Sequence, residues 1–166
     1  MSWVGEQQPT SPGSPERMIM SPFDGAAPEQ FIAEFFERFG AGVADDGEDL
    51  TALVDRFHTP DVVQVADGHR MDRDKLIAHA RAVRRHHSTA RIIVHEALAV
   101  HDRIAARYRM HVERATEDGV QPSIIDVCFF GQFAADGRMR RADMLTRMER
   151  RQATGSGTSG VTGVTS

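Results

Sequence analysis

The sequence predicts an α+β fold in which three N-terminal helices pack on a curved, mainly antiparallel sheet. Two observations support this prediction. Apolar residues recur at helical spacing in the first part of the chain, whereas the second part contains four long stretches separated by turn signals. Because the helices precede a run of strands, the two kinds of element are expected to form separate layers. A sheet that curves around the helices has the shape of a cone with a pocket at its open end.

Three apolar stripes predict the helices. Gly40 is expected to end the first helix, and Pro60 forces the chain out of the second. Asp46 and Asp72 are expected to cap the second and third helices, since short acidic side chains accept hydrogen bonds from the first free N–H groups. The stripes consist, in order, of Phe31, Ile32, Phe35, Phe36 and Phe39, of Leu50, Leu53, Val54 and Phe57, and of Leu76, Ile77, Ala80 and Val83.

The strands follow from alternation and turn residues. A short strand over 61–65 meets a turn at Asp67-Gly68, before the third helix. Consecutive strands joined by tight turns pair antiparallel, so the last part of the chain is expected to be a meander. Gly131 is expected to form a bulge that changes which side chains face each side. The four long strands are predicted over 90–100, 103–114, 121–134 and 138–149.

The composition indicates one folded domain between two tails. A chain of 166 residues can form one ordinary domain with a sizeable core, but not comfortably two. Five of the seven prolines lie within the first 28 residues, and residues 153–166 are almost wholly Gly, Ser, Thr and Val. We therefore predict a disordered tail over 1–27, a folded unit over 28–150 and a second disordered tail over 151–166.

Charge and cysteine content exclude several classes of partner and site. A net charge of −4 does not favour attraction to nucleic acid or to anionic lipid. The sequence contains neither a stretch of roughly 18 apolar residues nor the apolar core of a signal peptide. The single cysteine, Cys128, fits a reducing compartment and is expected to be a buried structural thiol. We therefore expect a cytoplasmic protein that binds neither nucleic acid nor membranes.

The order of elements and three stretches of sequence resemble the nuclear transport factor 2-like superfamily, also called the cystatin-like α+β roll, and within it the SnoaL-like polyketide cyclase group. The stretches are FHTPDVVQVADGHRMDRDKLIAH over 57–79, DRIAARY after His101, and ADGRMRRADMLTRM near the end of the folded unit. The resemblance implies a cone-shaped fold, a small apolar or polyketide-like ligand, no cofactor, and a homodimer formed through the sheet.

Asp126 is the first candidate for catalysis, because it is a polar insertion in the apolar run over 124–133. If it faces the inside of the cone, burial is expected to raise its pKa, so that it can act as a general acid or base near neutral pH. The SnoaL-like resemblance implies an acid/base aspartate on a late strand, at approximately this position. The alternative is that Asp126 pairs with Arg107 or Arg109 on the outer face. His79 is the second candidate, as a proton carrier, with a histidine at the edge of the core as its alternative.

Six residues are expected to bind the substrate: Tyr108, Gln64, Asp143, Arg141, Phe35 and Phe130. Alternation along its strand places Tyr108 on the concave side of the sheet, and the Gln64 amide can donate or accept a hydrogen bond. Arg141 and Asp143 can form a polar cluster with Asp126 at the cavity, or simply a cross-strand ion pair. Phe35 and Phe130 supply apolar lining.

The spacing of the eight histidines does not favour a metal site. His79 and His86 are about 10.5 Å apart along a helix, which is too far for both to bind one ion without another ligand between them. His58 follows the second helix and is expected to cap its C-terminus, where the helix dipole favours a cation. The sequence contains no phosphate-binding loop or dinucleotide fingerprint, so neither a metal nor a cofactor is expected.

With the resemblance, these observations predict a cofactor-independent acid/base enzyme of bacterial secondary metabolism: a cyclase, isomerase or dehydratase. The alternative is a noncatalytic ligand-binding or dimeric interaction module of the same fold. In that case an arginine neutralises Asp126, and Phe35, Phe129 and Phe133 fill the pocket. A third hypothesis makes the protein an accessory subunit whose tails bind a larger enzyme. A homodimer agrees with both leading hypotheses.

Overall fold

The structure is a computed structural model that describes residues 22–23, 25–117 and 119–149. The elements follow the predicted order. They are α1 (Pro28–Ala44), α2 (Leu50–Phe57), β1 (His58–Ala66), β2 (His69–Asp72), α3 (Arg73–Arg85), β3 (Thr89–Val100), β4 (Arg103–Thr116), β5 (Gly119–Phe133) and β6 (Met139–Met148). Most of the two predicted tails lies outside the described residues.

All six strands form one sheet, in the order β2-β1-β6-β5-β4-β3. The pair of β1 and β6 is parallel, and the other four neighbouring pairs are antiparallel. The three helices pack on one face of this sheet, which is the predicted α+β cone. We call the face toward the helices the inner face and the opposite one the outer face.

Strand alternation decides which face each side chain takes. On β4, Ile104, Ala106 and Tyr108 are buried on the inner face, as predicted. On β5, the expected change of phase at Gly131 is wrong. The register shift lies one residue later, after Gln132, so Gly131 stays on the inner face. The outer face of β5 consequently holds Asp126, Cys128 and Phe130.

The first helix runs past Gly40, so the predicted stop there is wrong. The helix continues to Ala44 because its last turn packs against α2 and α3. Gly42 allows the close contact with α2, since a Cβ there would lie 2.5 Å from Leu53 Cδ1. The Arg84 side chain donates hydrogen bonds to the carbonyls of Gly42, Val43 and Glu48 at 2.8–3.1 Å. The bonds to Gly42 and Val43 satisfy carbonyls that the end of α1 leaves free, and the bond to Glu48 holds the loop that leads to α2.

The other two helices begin at aspartates, one of them different from the prediction. Asp49 caps α2, in place of Asp46, and its carboxylate accepts hydrogen bonds from the backbone of Thr51 and Ala52. Asp72 caps α3 as predicted and accepts from the N–H of Lys75. Both caps satisfy N–H groups that have no partner within the helix.

Phenylalanine rings fill the space between α1 and the sheet. Phe35 makes edge-to-face contacts with Phe57 and Phe133, with ring centroids 5.4 Å apart in both pairs. Phe23 lies before α1 and is also buried, against Phe31 and Phe133. The packed part of the chain therefore begins before residue 28. Burying each ring contributes about 1.5–3 kcal/mol relative to leaving it in water.

Candidate functional site

The eight residues predicted to form one site do not lie together. Tyr108, Gln64 and Phe35 are buried among the inner-face residues. Asp126, Phe130, Arg141 and Asp143 lie on the outer face, in one set of cross-strand pairs between β5 and β6. His79 is exposed on α3. Because the sheet separates Asp126 from Tyr108, the expected cavity shared by these two side chains is not formed.

Inside the cone, His58 and Gln64 form a buried pair. His58 Nδ1 lies 3.1 Å from the Val54 carbonyl and donates to it, which leaves Nε2 as an acceptor. The Gln64 amide donates to that nitrogen at 3.1 Å and also contacts Met139 Sδ at 3.3 Å. Burial lowers the pKa of His58 to about 4, and the hydrogen bond to Val54 opposes this only in part. The ring is therefore neutral near pH 7, although the predicted helix cap is present.

Tyr108 is also part of the packed interior. Its ring lies between those of Phe36 and Phe129, with centroids 5.4 and 6.2 Å away. Its hydroxyl donates to Met144 Sδ at 3.9 Å. Burial raises the pKa of Tyr108 above its ordinary value. Among the described residues, this hydroxyl has a sulfur as its hydrogen-bond partner and no ionisable group.

Asp126 on the outer face is held by two arginines. Arg109 Nε lies 2.8 Å from one carboxylate oxygen, and Arg147 Nη2 lies 3.0 Å from the other. Hydrogen bonds from Arg109 and then Arg147 lower the pKa of Asp126 to about 2, against a smaller opposing effect of burial. Asp126 does not face the inside of the cone, so the condition for a raised pKa is not met, and the alternative pairing with Arg109 is present. A carboxylate ionised at all ordinary pH values is a weak general base.

The outer face also carries an unusual amount of exposed apolar surface. Leu98, Val100, Phe130 and Leu145 are 75, 65, 61 and 68% exposed. Cys128 lies among them and is exposed, so its expected burial is wrong. Single exposed apolar side chains are common, but several on one sheet face indicate a surface that binds something.

A groove of about 720 Å³ crosses this outer face. Its apolar walls include Leu98, Val100 and Phe130, and its polar residues include Arg103, Arg141 and Asp143. Three of the predicted substrate-binding residues, Phe130, Arg141 and Asp143, therefore line one groove, although on the face opposite to that expected. We call it the outer groove.

Three charged side chains of the outer groove, those of Arg103, Arg141 and Asp143, have no ion pair or hydrogen bond from their side chains within the described residues. Arg141 and Asp143 do not form the cross-strand ion pair that was the alternative for them, and Arg103 forms no ion pair either, among the residues that the structure describes. Gln132 differs, because its amide donates to Asp102 at 2.8 Å. The groove thus combines apolar walls with two arginines and one aspartate that are free to contact a ligand.

A second groove of about 500 Å³ lies beside the outer groove and contains the Asp126 cluster. His95, Arg107 and Cys128 also line it. Arg107 is paired with Glu96 at 2.9 Å. The charges of this second groove are therefore largely neutralised within the chain.

The described residues form neither a metal-binding cluster nor a helix that could cross a membrane. No group of three His, Cys, Asp or Glu side chains there is arranged to hold a metal ion. In the same part of the chain, no helix is long and apolar enough to cross a membrane.

Several residues that define these sites could not be recognised in the sequence. Leu98, Val100 and Arg103 line the outer groove, but in the sequence they are ordinary members of two strands. The signal that could have identified them is their register, since Leu98 pairs with Ala105 and Ala105 with Phe130. The pair of His58 and Gln64 could not be recognised because the two residues lie six positions apart, with an irregularity in strand register between them.

Comparisons with known proteins give one relative by sequence and several by structure. No protein-family model matches the chain. The uncharacterized protein C11D3.04c of Schizosaccharomyces pombe is 32% identical over 118 residues, which are 71% of this chain and 84% of that protein.

Two solved structures illustrate the likeness in fold. A candidate SnoaL-like polyketide cyclase from Shewanella denitrificans OS-217 has a TM-score of 0.55 at 11% identity, over 72% of this chain and 90% of its own. SalBIII, an epoxide hydrolase/cyclase-like enzyme in pyran ring formation of the polyether salinomycin, has a TM-score of 0.53 at 16% identity, with the same two coverages. At these identities the likeness shows the fold.

Proposed function

Because the chain belongs to the same family as C11D3.04c and has the SnoaL-like fold of the nuclear transport factor 2-like superfamily, we propose that it is a noncatalytic protein that binds a small molecule in the outer groove. The observation that carries this proposal is the groove itself, with exposed apolar walls and unpaired polar side chains. Its volume of about 720 Å³ falls in the range of roughly 300–1,000 Å³ typical of small-molecule sites.

The state of the candidate acids and bases supports a noncatalytic role. Asp126 is ionised and held by Arg109 and Arg147, and His58 is a neutral cap that already accepts a hydrogen bond from Gln64. His79 is exposed on α3 and lines neither groove of the outer face. A general acid or base needs a pKa near the working pH and a free position next to the substrate. None of the three groups meets both requirements, so the acid/base cyclase, isomerase or dehydratase is the less supported hypothesis.

The solved neighbours support a ligand class. SalBIII and the candidate cyclase from Shewanella are named for polyether and polyketide chemistry. A largely apolar ligand of that kind fits walls formed by Leu98, Val100 and Phe130. As part of this proposal, the protein acts in bacterial secondary metabolism and is located in the cytoplasm.

The test is a saturation-transfer NMR screen of small aromatic and aliphatic compounds against the full chain. Phe130→Ala removes a wall of the outer groove, whereas Leu145→Ala removes an equally exposed apolar side chain outside it. We expect compounds that bind the unaltered protein to lose most of their signal with Phe130→Ala and to keep it with Leu145→Ala. Equal losses with both variants, or no bound compound, would contradict the proposal.

The same face supports a second candidate function, as a homodimeric interaction module. The specific observation is the area left apolar by Leu98, Val100, Phe130 and Leu145, which a second copy of the sheet would cover. Sedimentation equilibrium tests this directly. A dimer that Leu145→Glu converts to monomer supports the module, and a monomer at all concentrations excludes it.

A further inference from the structure

We infer that the ligand of the outer groove is an amphipathic anion, with a carboxylate held by Arg103 and Arg141 and an apolar body lying against Leu98, Val100 and Phe130. This inference rests on the proposed function and adds the chemical class of the ligand.

Arg103 and Arg141 differ from the neighbouring arginines on the outer face. Arg107, Arg109 and Arg147 each have a carboxylate within 2.8–3.0 Å. Arg103 and Arg141 have none among the described residues. A guanidinium without an internal partner keeps all five N–H donors for a ligand, and a carboxylate is the group that matches its planar geometry.

The register of the sheet brings these two arginines into one row. Arg103 on β4 and Arg141 on β6 are both paired with Gln132 on β5, so the three form one row across the sheet. Strands are about 4.8 Å apart, which places the two arginine Cα atoms about 10 Å apart. Side chains of this length can converge on one carboxylate above Gln132. The Gln132 amide is already turned to Asp102 and does not compete for the ligand.

The neighbouring row of side chains on the outer face is mostly apolar. Leu98, Ala105 and Phe130 occupy it from β3 to β5, and Asp143 follows on β6. A cationic row therefore lies directly beside an apolar one. This arrangement matches a molecule that has a charged group at one end and an aromatic or aliphatic body.

Asp143 fixes the direction in which such a ligand lies. Its carboxylate also lines the groove and has no ion pair within the described part of the chain. A ligand carboxylate is repelled by it and is therefore expected in the cationic row, between Arg103 and Arg141, and not in the neighbouring row that holds Asp143. Removing this charge with Asp143→Asn is expected to tighten anion binding.

The experiment is calorimetric titration of the full chain with 2-naphthoate and with 2-naphthamide, its neutral counterpart of nearly the same shape. We expect the naphthoate to bind about tenfold more tightly, since charge-assisted bidentate hydrogen bonds are roughly twice as strong as neutral ones. Arg103→Gln and Arg141→Gln should each remove most of this difference, by weakening naphthoate binding much more than naphthamide binding. Arg91→Gln is the matched control, because Arg91 is an exposed arginine of β3 outside the groove.

The outcomes separate this inference from the proposed function. Equal affinities for the two compounds, both weakened by Phe130→Ala, would overturn the anionic class while the proposed groove stands. If neither compound binds, the inference is overturned, and the compound screen decides the proposed function independently. Equal weakening of naphthoate binding by Arg91→Gln and Arg103→Gln would show a general charge effect and would also overturn it.

Discussion

His58 lies where α2 ends and β1 begins, with its ring at edge-to-face distance from Phe35 and Phe39. His58 connects α2 with β1. Its backbone N–H and its Nδ1 both donate to the Val54 carbonyl in the last turn of α2, and its Nε2 accepts from Gln64 on β1. Protonation of Nε2 would remove the acceptor that Gln64 uses. The folded state therefore favours the neutral ring.

The free energy of unfolding is expected to depend on this ring. The pKa of His58 is about 4 in the folded protein and 6.5 without its environment. Between these values the unfolded chain binds the extra proton, so stability falls as the pH falls from about 6.5 to about 4. From about pH 6.5 to 4.5, the loss due to this one group is about 2 kcal/mol, because the slope reaches its maximum of about 1.4 kcal/mol per pH unit only between the two pKa values.

Urea unfolding at these two pH values measures the dependence. His58→Gln should be less stable at neutral pH but should lose about 2 kcal/mol less than the unaltered protein on acidification. His79→Gln is the matched control, since His79 is an exposed histidine of α3. An identical acid dependence in His58→Gln and the unaltered chain would refute the assignment of this effect to His58.

At the scale of elements, Gly131 on β5 supports the packing of the inner face. A Cβ there would lie 2.5 Å from Phe129 Cζ and 2.9 Å from Phe133 Cε2, both on fully buried rings. Rings in a filled core cannot move aside easily, so Gly131→Ala is expected to destabilise the fold by about 2 kcal/mol. The free energy of unfolding from urea titration measures the change.

Gly40 provides the control for this substitution. It lies inside α1, and a Cβ there would meet nothing within 4 Å. Gly40→Ala should therefore stabilise the protein by about 1 kcal/mol, since alanine is the better helix former. Destabilisation by both substitutions would show that the contacts around Gly131 do not decide its effect.

Element order could be predicted from the sequence because it depends on local patterns. The four long strands lie within a few residues of the predicted bounds, and Asp72 caps α3 as its spacing indicates. The ends of α1 and the start of α2 could not be predicted in this way. Gly40 and Asp46 are suitable stop and cap residues, but packing of Gly42 against Leu53 extends α1 past Gly40 to Ala44, and the cap of α2 is Asp49. Tertiary contact therefore outweighed local propensity.

The face of Asp126 shows a different limit. Alternation predicts that Asp126 and Phe130 share a face but does not say which one meets the helices. That choice follows from Val127 and Phe129, whose burial against α1 completes the core. Phe130, Arg141 and Asp143 therefore line one groove, but on the outer face and not on the inner face that was expected, and their role in binding stays a prediction.

At the scale of the whole molecule, the sheet separates two environments with different roles. The inner face holds a filled aromatic core and the internally bonded pair of His58 and Gln64. The outer face holds the apolar walls and unpaired charges of the outer groove. Stability therefore depends mainly on one face of the sheet, and we propose that binding depends on the other.

Methyl NMR of leucine- and valine-labelled protein during titration with 2-naphthoate tests this division most directly. We expect saturable changes in the methyl chemical shifts of Leu98 and Val100 on the outer face and none in those of Leu53 and Val127 in the core. Shift changes confined to inner-face methyls such as Val94 and Val127, with Leu98 and Val100 unaffected, would place the ligand inside the cone and contradict the account.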